Sequence, residues 1–184
     1  DVGSQLVSQF IEIEEGDQVL DFCAGSGGKT LAVASEASKV AYYSAWDENF
    51  NRMDDLENRA NRAGIKIRKL LNKPVHNIYD KVIVDAPCSG SGAWRRSPQG
   101  KWDLSLDKLM QYIDIQKRLI LDGFKLLKPG GQVIYITCSV LDVENEKLIK
   151  ELVLAEGTFY EKKILNLLPT VQNDGFFAAI LKKI

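Results

Sequence analysis

Short apolar runs alternate with amphipathic, charge-rich segments along the whole chain, an order that predicts βα units around a mostly parallel sheet. A lead-in helix is expected over Ser4–Ile11, then a first strand Gln18–Phe22, a Gly-rich turn and a helix over Lys29–Ser38. A second strand spans Val40–Trp46, a polar helix Phe50–Ala63 stops at Gly64, and a short third strand covers Ile65–Leu70. The Val82-Ile83-Val84 run marks a fourth strand, Lys81–Asp85, that is apolar on both faces and therefore buried on both. After it comes a loop, Ala86–Asp103, long enough to suggest function. A long helix over Ser105–Leu127 ends at Lys128-Pro129-Gly130-Gly131; a fifth strand Gln132–Thr137 and a helix Asp142–Ala155 follow. Strands Phe159–Ile164 and Phe176–Lys182 close the pattern. The expected architecture is a single α/β domain over residues 1–184, built around a mostly parallel sheet.

At 184 residues the chain can bury one full core, and no repeat, linker or low-complexity stretch divides it. A net charge of -1 does not mark a self-sufficient nucleic-acid binder. No apolar run is long enough for a membrane span, and no signal-peptide pattern opens the chain, which starts without Met and is read as a piece of something longer. Cys23, Cys88 and Cys138 show no zinc spacing, no metal site is expected, and an odd count suggests reduced thiols in a cytoplasmic compartment.

Chemistry concentrates in three places. The turn Asp21–Thr30 carries Gly25, Gly27 and Gly28, whose missing side chains let backbone approach a ligand at the switch point of a doubly wound sheet. Gly28-Lys29-Thr30 matches the end of a Walker A loop, but Cys23 stands at the required first glycine. Asp21 repels phosphates while tolerating the amino group and sulfonium of S-adenosylmethionine, which favours that cofactor. Asp47, at the end of the second strand, is a ribose acceptor or a helix cap, and both readings stand.

The second place is Asp85-Ala86-Pro87-Cys88-Ser89-Gly90, directly after the fourth strand. Enzymes that methylate exocyclic amines often carry an aromatic where Cys88 stands. Cytosine C5 becomes nucleophilic only after a thiolate adds at C6, so a cysteine suits methylation at that carbon. The third is Thr137-Cys138-Ser139, past the fifth strand, so two thiols can face one pocket from adjacent strand ends. A disulfide between them is disfavoured in a reducing compartment.

Together these residues resemble the Sun/Fmu-like (NSUN) RNA cytosine-5 methyltransferases across nearly the whole chain, and the resemblance implies the α/β, Rossmann-like S-adenosylmethionine-dependent methyltransferase fold, a mostly parallel seven-stranded sheet with an antiparallel last strand. Asp1–Gln5 is similar to the start of that family's catalytic domain, and Cys23–Thr30 to its cofactor loop, usually CAAPGGKT. Asp85–Gly90, Arg95-Arg96 with Pro98 and Trp102, Thr137-Cys138-Ser139 with Glu144-Asn145-Glu146, and Asp174–Ala178 also fit. The resemblance implies Cys138 as nucleophile, Cys88 as the group assisting proton removal or product release, and Lys29 and Asp85 as contacts to the target base. It implies a cofactor site built from Cys23, Ala24, Gly25, Ser26, Gly27, Gly28, Lys29 and Asp47, together with Asp85. Gly25-Ser26 departs from the usual Ala-Pro, which predicts a looser turn and weaker binding. The family's adenine-holding Asp after the third strand has Asn72 as its nearest counterpart, able to accept the same hydrogen bond without charge.

The function implied is S-adenosylmethionine-dependent methylation of cytosine C5 in RNA (rRNA or tRNA) through a covalent Cys138–C6 adduct. The alternatives are a non-catalytic RNA-binding or assembly module on the same fold, and a methyltransferase for amines or proteins. Cys138 needs a lowered pKa, for which Lys29 is the candidate cause. Arg95, Arg96 and Lys101 are candidates for RNA phosphate contacts and Trp94 for base stacking; the competing reading is a solvated loop with Trp94 and Trp102 packed on the core. His76 reads as a surface residue, Phe176-Phe177 as core, and Lys182-Lys183 as a solvated tail.

Overall fold

The computed structural model describes residues 2–37, 40–75 and 77–184; Asp1, Ser38 at the expected end of the second helix, and His76 lie outside them. Seven strands form one sheet in the order β3-β2-β1-β4-β5-β7-β6, built from β1 (Gln18–Asp21), β2 (Tyr42–Ala45), β3 (Ile67–Lys69), β4 (Tyr79–Asp85), β5 (Leu127–Thr137), β6 (Phe159–Leu167) and β7 (Phe176–Lys183). β7 runs antiparallel to both β5 and β6, and the other six strands share one direction, as expected.

The buried strands divide their side chains between two layers. Val82, Val84, Val133 and Tyr135 point to the face covered by α5 (Leu106–Leu126) and α6 (Glu146–Glu156). Ile83, Ile134 and Ile136 point to the face packed with Val7, Phe10 and Val33 of α1 (Val2–Phe10) and α2 (Gly28–Glu36). This period-2 split explains the unbroken apolar runs: neither face meets water. α5 crosses close to the sheet at Gly123, where a Cβ would lie 3.3 Å from Val133 and 3.4 Å from Val82. Ser105 caps α5 by accepting the Lys108 N–H at 3.2 Å, and left-handed Gly64 and Gly157 end α3 (Leu56–Ala63) and α6.

Two expected elements differ. The polar segment after β2 is a 3₁₀ turn, Phe50–Met53, followed by α3. The Ala86–Asp103 loop contains a 3₁₀ turn at Ser91–Ala93 and the short α4, Gln99–Asp103. No helix among the described residues is long and apolar enough to cross a membrane.

Between β1 and β4 the order of connections reverses, so the C-terminal ends of β1, β4 and β5 open onto one crevice. The turn after Asp21, the loop after Asp85 and the Thr137-Cys138 step all emerge there.

Candidate active site

β4 and β5 pair with Asp85 opposite Ile136, which sets Cys88 and Cys138 at neighbouring strand ends. Their sulfurs are 3.4 Å apart, hydrogen-bonded rather than disulfide-linked. The pair shares its protons unequally. Cys138 is driven below the ordinary thiol value, chiefly by the hydrogen bond from Cys88 and to a lesser degree by the Lys29 charge. Cys88 is driven up by that same bond, by burial, by the developing charge on Cys138 and by nearby Glu144. Burial and the Asp85 carboxylate oppose the lowering of Cys138, and the hydrogen bond from Cys88 outweighs them. Lys29 was expected to be the main cause of activation; the partner thiol is the larger one. Cys23 is raised well above its usual value by burial and by Asp21, Asp85 and Asp47, which makes it inert.

Lys29 enters from the first turn of α2 and is itself buried. Its Nζ lies 3.2 Å from Asp85 Oδ2, donates to Ser4 Oγ at 2.9 Å and sits 5.1 Å from the centre of the Phe176 ring. Asp21 is sealed below the turn, accepting from Thr30 Oγ1 at 2.6 Å and from the Cys23 N–H at 3.3 Å. Desolvation, helped by the Asp85 charge, lifts its carboxyl to about 6.

The turn itself is tightly braced. Asp47 Oδ2 accepts the Gly25 N–H at 2.9 Å, Oδ1 accepts the Asn49 N–H at 3.0 Å, and Arg52 pairs with the same carboxylate at 3.2 Å. Asp47 thus fastens the turn to the segment after β2. Arg59 donates to Ser26 O at 2.8 Å and to Ser26 Oγ at 2.6 Å, so the Gly25-Ser26 step expected to be loose is held by a guanidinium. Gly27, at φ 80°, lies where any Cβ would strike Leu56.

Above this turn lies a polar cavity of about 510 Å³ lined by Asp21, Ala24 to Ser26, Gly28, Lys29, Arg52, Arg59 and Asp85. A narrow, mostly apolar slot of about 70 Å³ adjoins it, between Phe22, Trp46, Pro87, Ile115 and Leu119, with Cys23 and Arg52 common to both. Carboxylates and cations in one compartment suit a zwitterionic amino acid with a sulfonium, and the slot suits a flat base. The donor set therefore fits S-adenosylmethionine.

The remaining predicted residues lie elsewhere. Asn72 is exposed and borders a separate groove with Arg68, Pro74 and Ile78, so it is not brought to the slot. Arg95 and Arg96 are tied to buried Asp174, Arg95 Nη2 at 3.6 Å from Oδ1 and Arg96 through Nε at 2.8 Å, while much of each guanidinium faces solvent. Lys101 is exposed beside Trp102. Of the two tryptophans, Trp102 is 78% exposed and Trp94 is partly buried against Gly100, so the free stacking surface belongs to Trp102.

Comparison with known proteins gives this arrangement a context. Residues 8–182 match the family described as 16S rRNA methyltransferase RsmB/F. The chain belongs to that family. Ribosomal RNA small subunit methyltransferase B of Salmonella paratyphi B is 33% identical over 201 aligned positions, and its counterpart in Enterobacter sp. is 32% identical over the same length. The alignments take in 100% of this chain but 46% of either relative, so the chain spans a little under half of their length. Among solved structures, PH0851 superposes with a TM-score of 0.89 at 30% identity, over 98% of this chain and 46% of that one. NSun6 from Pyrococcus horikoshii, solved with SFG, superposes with a TM-score of 0.84 at 24% identity over 99% of this chain and 52% of its own. The fold is the Rossmann-like fold of S-adenosylmethionine-dependent methyltransferases.

Several residues that this RsmB/F-family domain brings to the crevice were not singled out from sequence. Arg52 and Arg59 stand seven positions apart on the polar segment after β2, and that two-turn spacing of cations beside a Gly-rich turn was the available signal. Ser4 and Phe176 lie in segments that match the family, but nothing local points to Lys29, which they meet only through the tertiary packing of α1, α2 and β7.

Proposed function

We propose that this domain methylates C5 of cytosine in RNA, with S-adenosylmethionine as cofactor, through a covalent bond between Cys138 and C6 of the base. The observation that carries this reading is the thiol pair 3.4 Å apart at adjacent strand ends, one sulfur biased toward thiolate by the hydrogen bond between them and the other held as a thiol. Amine methylation has no use for such a pair. The names of the relatives support ribosomal RNA as the substrate class.

Cys138 thiolate adds to C6, and the electron density displaced toward N3 is met by a proton passed to N3 from the Lys29–Asp85 pair. When bound, S-adenosylmethionine supplies the methyl group that C5 takes up. Asp21, Asp85 and the backbone of Ala24 to Gly28 would hold its cationic end, and Trp46, Ile115 and Leu119 its base. The C5 proton then leaves to water, the proton at N3 returns to the Lys29–Asp85 pair, and the Cys138–C6 bond breaks as the Cys88 thiol donates a hydrogen bond to the departing thiolate. Asp174 orients Arg95 and Arg96 as phosphate contacts, with Lys101 and the exposed Trp102 beside them. The braces from Arg59 and Asp47 support the catalytic reading over a non-catalytic module on one of two counts, since the altered turn is held while no counterpart of the adenine-holding Asp among the described residues reaches the slot.

The test is adduct trapping. Cys88→Ala incubated with RNA and cofactor should accumulate a protein–RNA species that survives denaturing electrophoresis, and Cys138→Ala should form none and lose turnover. An absent adduct together with full activity of Cys138→Ala would sink the proposal.

A further inference from the structure

Glu144 has no exposed surface, and the donors that reach it are neutral. Its Oε1 accepts from the Ser89 N–H at 2.9 Å and from Gln116 Nε2 at 2.9 Å; its Oε2 accepts from Ser89 Oγ at 2.5 Å and Ser139 Oγ at 2.6 Å. Burying a carboxylate without a cation is costly, and four donors are about what it takes to keep one there. The identity of those donors is informative. Ser89 follows Cys88 and Ser139 follows Cys138, so one carboxylate grips the residue after each thiol.

The flanks on the other side are held by the same group of residues. Gln116, while donating to Glu144, also donates to the Pro87 carbonyl at 2.9 Å, just before Cys88. Asn145, the next residue after Glu144, accepts from Thr137 Oγ1 at 2.7 Å and donates to the Ser139 carbonyl at 2.9 Å, bracketing Cys138. Tyr135 Oη donates to the Glu144 carbonyl at 2.7 Å, which fixes the 3₁₀ turn Asp142–Glu144 against β5. Packing alone would not require each thiol to be clamped on both sides by polar bonds, Cys138 by Glu144 and Asn145, and Cys88 by Glu144 and Gln116 of α5.

We propose that Glu144 is the positioning residue of the thiol pair, setting the separation and mutual orientation of Cys88 and Cys138 through Ser89 and Ser139. Its relevance to turnover rests on the methylation reading given above; the positioning itself does not. The role is geometric. In Glu144→Gln the amide oxygen can take the two N–H donors and the amide nitrogen can donate to both serine hydroxyls, which rotate to accept. Glu144→Ala leaves all four donors without an acceptor.

Diamide, which takes the two thiol hydrogens as it becomes a hydrazine and leaves the sulfurs bonded, reads the geometry without RNA. Cross-linking of Cys88 to Cys138, followed by mass spectrometry on protein whose fold is checked by circular dichroism, should slow at least tenfold in Glu144→Ala and stay within about twofold in Glu144→Gln. In methylation assays kcat should fall about a hundredfold in Glu144→Ala with the KM for S-adenosylmethionine unchanged, and Glu144→Gln should recover at least about a third of it. Should Glu144→Ala fail to fold, Ser139→Ala, which removes one grip of four, should slow cross-linking several-fold. Wild-type cross-linking rates in folded Glu144→Ala or in Ser139→Ala, or a Gln variant as impaired as the Ala variant, would overturn the proposal. If the variants cross-link as expected while the wild type makes no 5-methylcytosine, the methylation reading fails and the positioning role stands.

Discussion

Replacing Asp21 by Asn should stabilise the cofactor-free domain at neutral pH while weakening its hold on S-adenosylmethionine. Asp21 is fully buried, and its carboxyl titrates at about 6 against a reference of 3.8, with desolvation the largest cause and Asp85 adding to it. A raised folded-state value means the protonated form is favoured by folding: that contribution is fully present below the unfolded pKa and is lost as pH rises through about 6. The difference of roughly two pK units corresponds to about 3 kcal/mol of cost above pH ~7, shrinking to about 1 kcal/mol near pH ~4.5. Asn can keep both local bonds, accepting from the Cys23 N–H and donating to Thr30 Oγ1. Its second amide hydrogen lacks a partner in that seal, a penalty of about 1 kcal/mol. The net expectation is a gain of about 2 kcal/mol near pH ~7.5 that vanishes near pH ~4.5. Urea denaturation of both proteins across that range measures it. Calorimetry should show S-adenosylmethionine affinity reduced at least about tenfold, the loss of one charge contact to its cationic end. A stability difference that is flat between those pH values would refute the reasoning, because burial of the charged form would then not be its source.

Two other outcomes follow from the braces and the surface. Arg59→Ala should free the Gly25-Ser26 step and raise the S-adenosylmethionine Kd about fivefold, the worth of roughly one solvent-exposed charged hydrogen bond, with kcat at saturating cofactor little changed; isothermal titration and steady-state kinetics check this. Trp102→Ala should weaken binding of single-stranded RNA by about 1 to 3 kcal/mol in a fluorescence titration without affecting thermal stability, whereas Trp94→Ala should lower the melting temperature instead.

Much of the fold and part of the candidate site could be read from the chain, and the division has a physical reason. Val82-Ile83-Val84 and the Val133–Ile136 run announce strands buried on both faces because each apolar residue meets a different layer. The Gly-rich turn and the two thiol loops were legible because their chemistry depends on residue type at strand ends, which topology then aligns. α4 was missed because five residues are too few for a helical period to register. Arg95 and Arg96 carried the right charge, yet their anchor at Asp174 lies 78 positions from Arg96 and no local pattern points to it. Trp94 and Trp102 are indistinguishable by type, and only the path of α4 decides which is covered. Asn72 is the nearest counterpart of the family's Asp only if the loop after β3 is shorter, and that loop carries it to another groove.

The seam between the Cys88 loop and the turn before β7 has a consequence for how the protein is made. Gly92 donates to the Cys138 carbonyl at 2.9 Å and accepts from the Gly175 N–H at 2.9 Å, and neither glycine leaves room for a Cβ. β7 itself is threaded between β5 and β6, although it is the last strand in sequence. During synthesis, then, the β1-β4-β5 frame and both cysteines are available well before the strand and the turn that lock them. The thiols emerge early but the seam over them closes last, so a nascent or C-terminally clipped chain carries both sulfurs without the Gly92–Gly175 bond beside them.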